Sequence, residues 1–147
     1  MGDLPTKALS IRQPWVWAIL NAGKRVENRP RRFHYRGPIC LHASSHKDAK
    51  GAEWDACMSI LDEMHGAFTM RELVNQQGRW SSASTSDEAK RGGIVGTAEI
   101  VDLVEQSDSP WFFGPYGLVL ENVRPVEFIP VKGALGLFDW RKNLTHA

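Results

Sequence analysis

Cysteine is scarce in this chain. Cys40 and Cys57 are the only two in 147 residues, and they form no CxxC pair, which argues against a disulfide-stapled scaffold or a zinc ribbon and for two reduced, buried thiols. Histidines are few, five in all; His34, His42, His46 and His65 are scattered and form no HExxH, and the pair His42 and His46 straddles a strand-to-helix transition rather than one helix face. No metal site and no cofactor are expected. The phosphate-cradling pattern GxxxxGK[ST] and the nucleophile-elbow pattern GxSxG are both missing. No apolar run approaches the roughly 20 residues needed to cross a bilayer, and MGDLPTKALS lacks the apolar core of a signal peptide, so a cytoplasmic protein without a membrane partner is expected. Net charge is low as well. At +1 it argues against a domain built wholly to coat a long nucleic acid, since such binding draws on many phosphate contacts.

What is present fits one domain spanning residues 1–147. Hydrophobic residues make up 42% and charged residues 24%, the balance of a soluble globular chain with a single core. The charge is unevenly spread. Arg12, Lys24, Arg25, Arg29, Arg31, Arg32 and Arg36 are opposed between Ile11 and Arg36 only by Glu27, a local +6 that leaves −5 for the remainder. That asymmetry suits a cationic site for one nucleotide or a short strand better than an extended phosphate track. A solvated basic loop would look the same.

Pro14 suits the first turn of a helix and Gly23 the left-handed position that ends one, so a helix is expected from about Pro14 to Ala22. Trp15, Val16, Ile19 and Leu20 fall on its core side and Trp17 on another. KRVENR is compatible with a half-exposed strand. In such a strand Glu27 and Arg29 share a face, and Lys24 joins them only if it precedes the strand or sits at a bulge. PICLHAS reads as a short buried strand. Ser44 or Ser45 is placed to cap a second helix, along which Trp54, Cys57, Met58, Leu61 and Met64 make one apolar stripe. Thr69 and Glu72 suggest a capping box for a third helix through about Gln76. WSSASTSDEAKRGG reads as a polar loop. Strands are expected in GGIVGTAEIVDLV, GLVLENV, VEFIPV and LGLFDW, with a turn at Asn122 to Pro125 making the middle two a hairpin. An α+β fold follows, with five or six mostly antiparallel strands closed into a small barrel and two or three helices against its openings.

Amide hydrolysis needs a nucleophile, a base, stabilisation of the developing oxyanion and a proton for the leaving amine. Lys24 is the candidate base, Glu27 the candidate proton shuttle, and Arg29 or a backbone N–H the candidate oxyanion partner. The same three residues also suit a structural salt bridge. For a nucleoside, Trp15, Trp17, Trp111, Phe112 or Phe138 offers a stacking face, and Gln13 or Asn28 a hydrogen-bonding edge. Core packing is the competing role for each aromatic.

LSIRQPWVWAILNAGKRVENR resembles the signature of the ASCH domain family, part of the PUA-like superfamily. YRGPICLHAS, GGIVGTAEIVDLV, SPWFFGPYGLVLENV and KGALGLF resemble later segments of that family in the same order, so the likeness runs from Ala8 to about Trp140. Many members carry a residue between the glycine and the lysine; here Gly23 abuts Lys24, and K-x-x-E-x-R is intact from Lys24 to Arg29. The resemblance implies a PUA-like β-barrel with a cleft between the barrel and the helix bearing QPW, and a site for RNA or a nucleoside. Some small bacterial members are amidohydrolases that remove acyl groups from N4 of cytidine with a lysine, a threonine and a glutamate. Lys24 matches that lysine, whereas Glu27 stands where the threonine would be. The nucleophile is then an activated water or another hydroxyl, such as Ser10, Ser44 or Thr97. Three readings follow: a metal-free N4-acylcytidine amidohydrolase using Lys24 and Glu27 with Gln13, Trp15, Arg29 and Phe138 around the substrate; an RNA-binding module or ribonuclease using the Arg12 to Arg36 cluster; or an interaction domain whose cleft is unused.

Overall fold

A computed structural model describes residues 3–47, 51–77 and 90–144, with the backbone alone for 66–77. Its elements in chain order are β1 (Lys7–Ile11), α1 (Trp15–Asn21), β2 (Val26–Arg29), β3 (Gly37–Ala43), α2 (Ala52–Gln77), β4 (Gly93–Val104), β5 (Tyr116–Pro130), β6 (Leu137–Asp139) and a 3-10 turn at Trp140–Asn143. The strands form one curled sheet in the order β2-β5-β4-β3-β1-β6. All pairings are antiparallel except β1 with β3, which run parallel with Ser10 opposite His42. This α+β half-barrel with flanking helices is the small PUA-like barrel that the sequence resemblance implies.

Period-two alternation in β3 explains why the sheet has a core on each side. Ile39, Leu41 and Ala43 point into a cluster with Leu9, Ile11, Val16, Ile19, Ile100 and Leu118. Cys40, from the other parity, joins Ala8, Ile94, Val131, Phe138 and Trp140. A third cluster joins the helices, where Ala18 of α1 meets Trp54, Cys57, Ile60 and Leu61 of α2 and Trp111. Both cysteines are buried and unpaired. Burial pushes the Cys40 thiol up to about 11 and the Cys57 thiol up to about 12, so neither is a ready nucleophile.

Four sequence expectations need correction. Ser44 and Ser45 do not cap the second helix, which begins at Ala52; the Ser44 hydroxyl instead accepts from His46 N at 3.0 Å. No separate third helix starts near Thr69, because α2 runs unbroken through Gln77. Asn122 to Pro125 is not a hairpin turn: β5 is continuous, and both its halves pair with β4. Asn122 takes φ 53° where the register slips, Glu121 facing Glu99 and Arg124 facing Thr97. One extra β5 residue is absorbed there, as in a bulge, and the long strand pair bends around the barrel instead of reversing. The apolar stripe of α2 holds at Trp54, Cys57 and Leu61 but ends at Met64, which is exposed. The polar stretch at 78–89 lies outside the described residues. Among the described residues no helix is long and apolar enough to cross a membrane.

Candidate functional site

The first turn of α1 starts where Trp15 N and Val16 N both donate to Arg12 O, and the helix ends with Gly23 in the left-handed region at φ 75°. Lys24 N then donates to Ala18 O, which folds the chain back before β2 begins at Val26. Lys24 therefore precedes the strand, the condition under which it reaches the same side as Glu27 and Arg29. Its side chain turns inward and is 2% exposed. The amine donates to Val26 O at 2.6 Å and to Glu27 Oε1 at 2.7 Å, with the Trp15 ring centroid 6.0 Å away.

Glu27 stands in front of that amine and borders a cavity of about 740 Å³, a volume suited to a nucleoside-sized ligand. Ser10, Arg12, Trp15, Arg29, His42, His46, Lys132 and Gly133 border it too. One guanidinium nitrogen of Arg29 ties two walls together: Nη2 donates to Ser10 O at 3.2 Å and lies 3.8 Å from Glu27 Oε2. The Trp15 wall is held from α2, since its indole N–H donates to Glu53 Oε1 at 3.2 Å, and Glu53 Oε2 lies 3.7 Å from His46 Nε2.

A second pair of groups meets at the opposite wall. Ser10 Oγ and His42 Nδ1 are 2.9 Å apart, and His42 Nε2 is 2.7 Å from Val131 O. A carbonyl only accepts, so Nε2 carries the ring proton, Nδ1 is the bare nitrogen, and the Ser10 hydroxyl donates to it. Burial holds the imidazole below its ordinary value, against the opposing pull of the Val131 carbonyl. Gly133 packs so closely that a Cβ there would sit 2.7 Å from His42 Cε1 and 3.2 Å from Ser10 Oγ.

The structure thus brings Glu27, Arg29 and Trp15 to the cavity and sets Lys24 directly behind Glu27. Gln13 and Phe138 do not border it. Gln13 is buried, its Nε2 donating to Lys90 O and its Oε1 accepting from Trp17 N, which spends the amide that a base edge would need. Phe138 meets the edge of His42 at a centroid distance of 5.6 Å. Asn28 reaches the rim, but its side chain latches the following loop: Nδ2 donates to Trp111 O, and Oδ1 accepts from Phe113 N and Gly114 N. Trp17 packs on Trp54, and Trp111 is buried under the helices. Of the hydroxyl candidates, Ser10 and Ser44 border this cavity, while Thr97 lines a different hollow with Arg124 and Phe128. Sequence reasoning missed His42 as the partner of Ser10, and Lys132 and Gly133 as part of the wall. The readable sign was the KGALG stretch, with two glycines and a lysine directly after a strand.

A family model for the ASCH domain matches residues 9–130. The chain belongs to the ASCH domain family. At the family level this points to RNA binding or hydrolase-like chemistry. A comparison with curated proteins finds no match. The matched span runs from Leu9 within β1 through β5, and carries Ser10, Lys24, Glu27, Arg29 and His42; Lys132 and Gly133 follow it.

Proposed function

We propose that this ASCH domain is an amidohydrolase that removes acyl groups from N4 of cytosine nucleosides. The observation that carries the reading is a carboxylate facing a nucleoside-sized cavity with a buried amine hydrogen-bonded behind it. Glu27 is the group within reach of a bound substrate, and Lys24 acts through it. By way of the carboxylate the amine gives a proton to N4 as the carbon–N4 bond breaks, and it recovers one from the water whose oxygen takes the place of N4 on the acyl carbon. Arg29, beside Glu27 and facing the same space, supplies positive charge for the oxyanion. Trp15 offers the face on which the pyrimidine stacks. Cytosine is a tolerable leaving amine because its exocyclic nitrogen is conjugated with the ring.

The test is turnover of N4-acetylcytidine by the purified protein, read as release of cytidine by chromatography, alongside Glu27→Gln and Lys24→Ala. Loss of turnover in Glu27→Gln is the expected result. Unchanged turnover in that variant overturns the reading.

Arg12, Arg29 and Lys132 around one cavity also favour a second reading, an RNA-binding module or ribonuclease. Three further basic residues of the Arg12 to Arg36 cluster are already engaged. Arg32 pairs with Glu105 at 3.0 Å and lies over Tyr116; Arg25 donates to Ile19 O and Lys24 O, and Arg36 to Phe33 O and Tyr35 O. RNA affinity that falls steeply with salt would support the second reading; a flat response counts against it.

A further inference from the structure

We propose that Ser10 is an acyl-accepting nucleophile and that His42 is its general base. Three observations converge on this assignment. The hydroxyl donates to His42 Nδ1 across 2.9 Å, and the far side of the ring is anchored on Val131 O at 2.7 Å. That anchor fixes the tautomer whose bare nitrogen faces the hydroxyl, a nucleophile, base and orienting group in sequence. The pair opens onto the cavity that holds Glu27 and Arg29, and Arg29 touches the Ser10 backbone. Close packing by Gly133 leaves room for no larger residue against the pair, which keeps the ring and hydroxyl in register.

The proposal deepens the amidohydrolase reading and rests on it for the identity of the acyl donor. In the first half-reaction Ser10 Oγ bonds to the acyl carbon, its proton passes to His42 Nδ1, and the carbon–N4 bond breaks. The departing N4 receives its proton from Lys24 by way of Glu27. In the second half-reaction a water oxygen bonds to the acyl carbon and the bond to Oγ breaks. Oγ recovers its proton from His42, and the proton lost by the water goes to Glu27 and Lys24. Acid and free nucleoside leave, and every group is restored. Neutral imidazole is the form that this cycle requires at its start, and burial favours that form.

Two acyl donors separate this proposal from the substrate assignment. The folded protein is incubated with p-nitrophenyl acetate and, separately, with N4-acetylcytidine, then quenched in acid and mapped by peptide mass spectrometry. An acetyl group on Ser10 is expected with both donors, together with a burst of p-nitrophenol. Ser10→Ala is expected to lose the adduct and at least about 10³-fold in turnover, and His42→Gln a comparable factor, since nucleophile and base act as a unit. Ser10→Cys keeps a nucleophile of similar size and is expected to hold the acetyl group as a thioester, which reads out the position even if the alanine variant folds poorly. Acetylation of Ser10 by the ester without cleavage of N4-acetylcytidine sustains the nucleophile and overturns the substrate. Turnover of N4-acetylcytidine that survives in Ser10→Ala overturns the nucleophile and leaves the substrate standing. Absence of any Ser10 adduct in the folded wild-type protein with either donor overturns the nucleophile as well.

Discussion

The amine of Lys24 lies 2.7 Å from Glu27 Oε1, yet only the carboxylate borders the cavity. Each residue is therefore tested by its own substitution. Glu27→Gln keeps the shape and a hydrogen-bonding oxygen but leaves the buried amine without its charge partner, so it is expected to lower kcat on N4-acetylcytidine by about 10²- to 10⁴-fold and to lower the unfolding midpoint as well. Lys24→Ala leaves a carboxylate without its buried partner and a void beneath Trp15. It is expected to lose turnover and also about 3 kcal/mol of stability, measured by urea unfolding. Native stability in both variants would contradict the arrangement.

Gly133 limits the space around Ser10 and His42. A methyl group at that position falls within van der Waals overlap of the ring and close to the hydroxyl, so Gly133→Ala must displace one of them. Expected outcomes are a destabilisation of about 1–3 kcal/mol and a slower burst with p-nitrophenyl acetate. An unaltered burst rate would show that the wall yields instead.

His42 makes stability depend on pH. Its folded-state value is lowered from 6.5, first by burial, with the Val131 carbonyl opposing. The unfolded chain therefore binds the proton more readily, and its contribution to stability is fully present above pH 6.5 and is lost as pH falls from there toward the folded-state value. Arg12, Glu27, Arg29, His46 and Lys132 border the same cavity, so the measurement is a difference: urea unfolding across this range for wild type and His42→Gln. The wild-type slope is expected to exceed that of the variant. Parallel slopes would remove His42 as the source.

Asn28 makes three hydrogen bonds to residues 111–114. Asn28→Ala is expected to cost about 2–3 kcal/mol in urea unfolding. Asn28→Asp keeps both acceptor contacts but turns the donor facing Trp111 O into a repelling carboxylate oxygen, so it is expected to destabilise as well. A near-native midpoint in Asn28→Ala would show that these bonds carry little of the latch.

Much of the fold was legible because its signals are local. Pro14 and Gly23 bracket α1, and the alternation in β3 was readable to within a residue or two. The parity argument for Lys24, Glu27 and Arg29 turned on where β2 begins, and Gly23 settles that by returning the chain before Val26. The bend of β5 was not legible: Asn122 has the composition of a turn, and only the length of β4 on the partner side makes it a bulge. The role of Asn28 was hidden for the same reason, since its partners lie more than 80 residues away. Ser10 and His42 are likewise brought together by a parallel pairing across 32 residues, a contact that neither strand announces by itself.

Arg29 sits on the terminal strand β2, while the carbonyl it reaches belongs to β1, the fifth strand of six. Across this gap Arg29 makes a side-chain contact where neighbouring strands of the sheet are joined by backbone ladders. Widening the gap there stretches that charge-assisted contact, whereas widening the sheet between paired strands breaks backbone bonds. On the amidohydrolase reading, a bulky acyl group entering beside Arg29 presses on that contact, and the tolerance for acyl size is expected to follow the reach of its guanidinium.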